Sequence, residues 1–247
     1  MTTIVQSEAI RRVPTVTVHT TELVIRCLTG GVAGALPADD VAALAAHLVV
    51  RKLDSGQVVF GPQDRPDGVW IIRSGAVELM LETGRPRMVA QVLREGDVFG
   101  DVPLLTERES PYYSRAACVT ICMWLAADDF LLLLAHRPAI ARLWLSSCAA
   151  RFIDSQVRLP GLLEGPLPQR TAALLICEAR GSLITLSQAT LAAMLGIPRP
   201  SVNRVLRAFQ RQGLISLSYR RIRILDETRL CDVAHDAPSG KPMALPR

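Results

Sequence analysis

Apolar residues along this chain change their spacing three times, and each change predicts a different kind of element. From Pro37-Ala38-Asp39-Asp40 to about Val50 an Ala/Leu-rich stretch reads as a helix, with the two aspartates at its positive end. From Arg51 the pattern shortens to β-type segments. Val58-Val59-Phe60 precedes Gly61-Pro62, and Val69-Trp70-Ile71-Ile72 reaches Arg73-Ser74-Gly75. Val77 to Leu81 follows, then Met88 to Leu93 ahead of Glu95-Gly96-Asp97, then Ala116 to Leu125. Short strands separated by Gly-centred turns predict an antiparallel barrel or jelly roll.

From about Phe130 the spacing becomes helical. Ala141, Leu145, Cys148, Phe152, Ser155 and Leu159 recur at alternating intervals of four and three, the period of a two-helix seam. Ile140, Leu143 and Trp144 form a second stripe that packs on the helix's own domain, and one helix can use both faces. The helix is expected to stop at Pro160-Gly161, with a hinge at Gly165-Pro166. Beyond it the reading is a helix from Pro168 to Ala179, helices from Ser187 to Leu195 and from Arg199 to Gln212, and a hairpin from Leu214 to Leu225. Residues 1–31, with one short strand, form an extension, and residues 231–247 a flexible tail.

Composition narrows the class. The chain has 247 residues, 49% hydrophobic and 21% charged, as expected of a globular protein of two domains. Its most apolar stretch, Cys118 to Ala135, is broken by Asp128 and Asp129, so no membrane span is expected. The N-terminus lacks a compact apolar core behind basic residues, which points to the cytoplasm. Six cysteines are scattered without a CxxC pair, so no zinc site is written here and none is assigned. Cys118 and Cys122 are read on one face of a strand, roughly 13 Å apart and too far to bridge. No HExxH, GxSxG or P-loop pattern is found, which argues against an enzyme. Charge, however, is uneven: residues 166–230 hold ten Arg and three acids, a balance of +7, whereas residues 1–165 come to −2. The C-terminal part is therefore built to face a polyanion.

Where it would do so is legible. Ser187 suits the N-cap of the first short helix, and Gly196 the sharp turn that follows it. On the second helix Val202, Val205, Leu206 and Phe209 make an apolar stripe, and Arg199, Asn203, Arg204 and Arg207 fall opposite. Arg offers a fork to guanine and Asn pairs with adenine. Gln188 and Ser201, near helix N-termini, suit phosphate contacts. Arg220, Arg221 and Arg223 would extend this surface as a wing.

This order of parts resembles the cyclic AMP receptor protein and fumarate–nitrate regulator (CRP/FNR) family. The likeness covers roughly residues 32–230 and is carried by Val69 to Leu79, by Glu95-Gly96-Asp97-Val98-Phe99-Gly100-Asp101, and by Leu186 to Leu206. It implies an α+β protein with an N-terminal double-stranded β-helix (jelly roll) sensor domain over 32–135. A dimerisation helix and hinge over 136–165 and a winged helix-turn-helix over 166–230 would follow. It implies a homodimer on palindromic double-stranded DNA, with RNA polymerase as a further partner. Arg199 and Arg204 match guanine-contacting positions, and Ser201 a phosphate contact. Pro200 stands where many members carry a base-reading Glu. An effector pocket on this resemblance draws on Gly100, Asp101, Val102, Tyr113 and Ser155. The Arg-Ser pair that grips the phosphate of cyclic AMP in the family is absent, although Arg108 and Arg115 lie nearby. Iron–sulfur sensing lacks its N-terminal cysteines, only Cys27 being close, and His19, His47, His136 and His235 lie off the strands, against haem. Cys148, on the seam, is the candidate redox residue. A sensing module that acts through a protein partner is the alternative reading.

Overall fold

A computed structural model describes residues 36–81, 88–163, 165–218 and 221–235. The N-terminal extension and Arg220 therefore lie outside the described residues. The described residues divide into two compact units, the first made of residues 36–81 and 89–151 and the second of Met88 and the residues from Phe152 on.

The first unit opens with α1 (Ala38–His47), β1 (Val49–Leu53), β2 (Val58–Phe60), β3 (Gly68–Ser74) and β4 (Ala76–Leu81). After these come β5 (Met88–Arg94), β6 (Val98–Phe99), α2 (Asp101–Thr106), β7 (Tyr113–Ala116), β8 (Thr120–Ala126) and α3 (Ala127–His136). Helix α4 (Pro138–Leu163) then runs on past the unit's last residue. Two four-stranded antiparallel sheets, in the orders β1-β8-β3-β6 and β2-β7-β4-β5, make the expected jelly roll.

Sheet alternation explains its two cores. On β3, Trp70 and Ile72 point between the sheets, where they meet Phe60, Val77, Leu93 and Ala116 of the opposite sheet with Phe99 and Cys122 of their own. Their neighbours Val69 and Ile71 point the other way, with Met123 and Leu125, onto Leu44, Phe130, Ile140 and Trp144 of the helices. A strand covered on both faces reads as an unbroken apolar run, which is why Val69 to Ile72 shows no alternation in the sequence. Phe130 and Trp144 lock α3 to α4 edge-to-face, their ring centroids 4.8 Å apart.

Three expectations are corrected. The first helix ends at His47, because the β-branched Val49 and Val50 enter β1, paired with Trp124 and Met123 of β8. The last strand is two strands, β7 and β8, and Cys118 sits exposed between them instead of sharing a strand face with buried Cys122. Helix α4 does not stop at Pro160-Gly161 but continues to Leu163. A proline inside a helix removes one amide donor and crowds the carbonyl four residues back, at about 3 kcal/mol, and here less than one further turn of helix lies beyond it.

Helix α4 buries one face and exposes another. Ile140, Trp144 and Ser147 are buried at i, i+4 and i+7, while Leu145, Phe152 and Ile153 are 70%, 64% and 60% exposed.

In the second unit α5 (Leu167–Glu178), β9 (Leu183–Ile184), α6 (Gln188–Leu195), α7 (Arg199–Arg211), β10 (Ile215–Ser218), β11 (Arg221–Ile224) and α8 (Glu227–His235) follow in order. Helix α8 replaces the first part of the expected tail: Asp226 accepts from the Arg229 amide at 3.0 Å, and Leu230 is fully buried. Residues 236–247 lie outside the described residues.

The two-sided core makes a contrast along α3. Phe130→Ala should destabilise the first unit by about 3–5 kcal/mol, and Leu132→Ala, on the exposed side, by less than about 0.5 kcal/mol, measured by urea unfolding. Equal losses would show that the α3 face against the sheet is not the buried one.

Candidate nucleic-acid interface

The pair α6 and α7 is set by its caps. The Ser187 hydroxyl accepts from the Thr190 amide at 3.0 Å, satisfying one of the free donors at the start of α6. At its other end Gly196 takes φ +67°, a left-handed conformation, and the Ile197 amide closes back on the Ala192 carbonyl at 3.1 Å. Arg170 of α5 donates to the Leu195 carbonyl at 2.9 Å, tying down the same turn. Pro198 and Pro200 then open α7, where missing amides cost nothing.

Helix α7 separates into faces as read from the sequence. Val202, Val205, Leu206 and Phe209 are buried. Arg199, Arg204, Arg207 and Arg211 are exposed, with Ser201 and Asn203 half-buried beside them. Arg207 is steadied by Gln210 Oε1 at 3.2 Å. Arg199, Arg204 and Arg211 make no side-chain hydrogen bond or ion pair among the described residues, so their donors are available.

The wing repeats this separation in β form. On β11 Ile222 and Ile224 face inward while Arg221 and Arg223 face outward, opposite Ser218 and Ser216 of β10. Strand β9 completes a three-stranded sheet beside β11. Between the start of α6 (Ser187, Gln188, Ala189), Arg199 and the wing residues Ser218 and Arg221 lies a cleft of about 320 Å³. Gln188, Arg199 and Arg221 are thus gathered around one opening.

Two matches bear on these units. A Crp-like helix-turn-helix domain matches residues 169–233, and a cyclic nucleotide-binding domain matches residues 50–137. The HTH-type transcriptional regulator Cmr of Mycobacterium tuberculosis is 46% identical over 204 residues, covering 83% of this chain and 84% of that protein. The chain belongs to the CRP/FNR family. This CRP/FNR protein is also 25% identical to the cyclic AMP receptor protein of Thermus thermophilus, over 81% of this chain and 94% of that one. Among solved structures, FixK2 of Bradyrhizobium japonicum superimposes with a TM-score of 0.68 at 20% identity, over 77% of this chain and 98% of that one. A CRP/FNR regulator of Eubacterium rectale gives 0.63 at 21% identity, over 81% and 95%. The family consists of DNA-binding transcription regulators, not enzymes.

The residues expected to hold an effector are arranged differently. Gly100, at φ +86°, leads into α2, and a Cβ there would lie 2.7 Å from the Gly68 carbonyl. Asp101, an effector-pocket residue on the family resemblance, is 1% exposed and accepts from Trp144 Nε1 at 3.0 Å and from Arg151. Val102 is 52% exposed, and Tyr113 is half-buried on β7. Ser155 belongs to the second unit and donates to the Phe152 carbonyl at 2.6 Å. Of the two nearby arginines, Arg108 is exposed and Arg115 is bound to buried Glu78 at 2.7 Å.

Cys148 is turned toward its own unit instead of standing free on the seam. Its thiol is 3.6 Å from Asp101 Oδ2 and accepts from Arg151 at 3.2 Å. Burial, and then the Asp101 charge, push that thiol above its usual range. Burial raises Cys122 further, to about 12. No spacing in the sequence predicts the clasp of Arg151 on Asp101, because the two residues lie fifty positions apart.

Thiol labelling of the native protein at neutral pH should therefore proceed at exposed Cys118 and leave Cys122 unmodified until unfolding, with Cys148 slow. Peptide mapping after brief alkylation reads the order, and rapid labelling of Cys148 would contradict the raised thiol. Ser187→Ala should cost the second unit about 1 kcal/mol in thermal unfolding, whereas Arg204→Ala should leave it unchanged.

Proposed function

We propose that two copies of the chain bind a two-fold symmetric DNA site, each inserting α7 into the major groove. Arg199, Asn203, Arg204 and Arg207 read base edges, while Gln188, Ser201, Arg221 and Arg223 hold phosphates. The observation that carries this reading is the exposed arginine row on α7 opposite a fully packed apolar stripe. A helix anchored in this way cannot rotate its guanidinium groups inward, so their field stays directed at a ligand.

Pairing of two copies through α4 is supported by Leu145, Phe152 and Ile153, three large apolar side chains left 70%, 64% and 60% exposed on one helix. Half-sites about 34 Å apart, one helical turn of DNA, follow from such a dimer. The cytoplasm is where this partner is met, with RNA polymerase as the machinery regulated. None of the described helices is long and apolar enough to cross a membrane.

Binding should weaken steeply between low and physiological salt, in proportion to the phosphates neutralised. On a site selected from random DNA, Arg204→Ala should cost about 1–3 kcal/mol and relax preference at one base pair in each half-site. Fluorescence anisotropy on single-base variants of that site makes the measurement. A uniform loss over all sequences would reassign Arg204 to phosphate binding.

A further inference from the structure

Asp101 begins α2 with its carboxylate almost wholly buried, and all three donors to it come from α4. Trp144 Nε1 and the Cys148 thiol reach Oδ2, and Arg151 engages both oxygens. Arg151 also donates to the Val98 carbonyl of β6 at 2.8 Å. One guanidinium therefore grips the strand before Gly100 and the helix after it. Beneath that turn there is little space: Trp70 and Phe60 lie 3.5 and 3.6 Å from where a Gly100 Cβ would stand. Phe99 packs against both rings, at centroid distances of 6.1 and 6.0 Å. Farther along the same interior, the Arg51 guanidinium lies 3.6 Å from the centroid of the Trp124 ring.

A ribose hydroxyl arriving at Asp101 would have to displace Arg151. The exchange trades a charge-assisted double contact for a single hydroxyl bond, and leaves a guanidinium to be rehoused. The cyclic phosphate would find Arg115 already committed to Glu78. The residues present do not fit a cyclic nucleotide held at Asp101.

We infer that Arg151 is a positioning residue that does the work of an effector from within the chain: with Trp144 it fastens the β6–α2 turn to α4, so that DNA binding needs no cyclic nucleotide. The inference rests on the DNA-binding reading above. Helix α4 continues without interruption from this clasp to Leu163, so the residues it steadies are consecutive with those proposed to pair two copies.

The test uses the full chain and a DNA site selected by the wild type, with fluorescence anisotropy in the presence and absence of millimolar cyclic AMP. Wild-type affinity should change by less than about twofold with the nucleotide, since a ligand without differential binding shifts nothing. Arg151→Met should weaken DNA binding by about tenfold or more, within the usual range of coupling between sites. Arg151→Lys, which keeps the charge, should restore most of that loss. Tryptophan fluorescence and thermal melting report whether the roll stays folded. If the Met variant does not fold, the nucleotide arm on the wild type decides alone. Wild-type affinity raised about tenfold by cyclic AMP overturns the inference. So does a folded Met variant that binds like the wild type, or a Lys variant no better than the Met one. Those outcomes leave the DNA reading standing. A wild type that selects no DNA defeats the proposed function, and this inference with it.

Discussion

Four side chains on one side of α7, Val202, Val205, Leu206 and Phe209, leave water together, and this burial decides where every charge on the helix goes. Each is worth about 1.5–3 kcal/mol when fully buried. Rotating the helix to hide an arginine would surrender that sum and bury an unpaired charge as well. The caps at Ser187 and Gly196 and the tie from Arg170 to Leu195 then set the direction of the helix. The wing obeys the same rule with a period of two, Ile222 and Ile224 inward, Arg221 and Arg223 outward. A surface for nucleic acid thus arises as the remainder of core formation, with no special fold needed for it.

The first unit meets a different constraint, a carboxylate that is almost fully buried. An ion taken from water into a protein interior loses several kcal/mol unless partners replace its hydration. Asp101 obtains them from Trp144, Cys148 and Arg151. Burial works against the Arg151 charge, and the Asp101 carboxylate with the Cys148 sulfur together outweigh it, leaving the guanidinium more firmly protonated than usual. The same neighbourhood raises the Cys148 thiol, because a thiolate beside Asp101 would face a like charge in a partly dry site. Structural and redox roles for Cys148 therefore compete, and the surroundings favour the first.

What the sequence disclosed follows the distance over which its signals act. The α7 faces, the Ser187 cap, the Gly196 turn and the strands around Trp70 are written in residues a few positions apart, and all stand as read. The stripes of α4 are read in part: Ile140 and Trp144 are buried and Leu145 and Phe152 lie outside, but Cys148, placed on the outer seam by its spacing, turns inward to Asp101. The boundaries that moved had local competitors. Val49 and Val50 continue an apolar helix pattern yet pair with β8, and Pro160 looks like a stop yet the helix runs on to Leu163. Helix α8 had a readable start in Asp226, three residues before the amide it caps, masked by the polar residues that follow.

The first unit shows why a domain match and a ligand are separate questions. A cyclic nucleotide-binding domain matches residues 50–137, and the two sheets, the β6–α2 turn and the left-handed Gly100 all belong to that match. The partner that settles the chemistry of Asp101 lies at residue 151, beyond the matched segment, and no motif within 50–137 reports it. A carboxylate at a ligand-facing position is a binding group only while nothing in its own chain reaches it first. Here Arg151 does, through a side chain long enough to span from α4 to both sides of the turn. Identity of fold sets where a ligand would sit, and the occupancy of individual donors and acceptors sets whether one can.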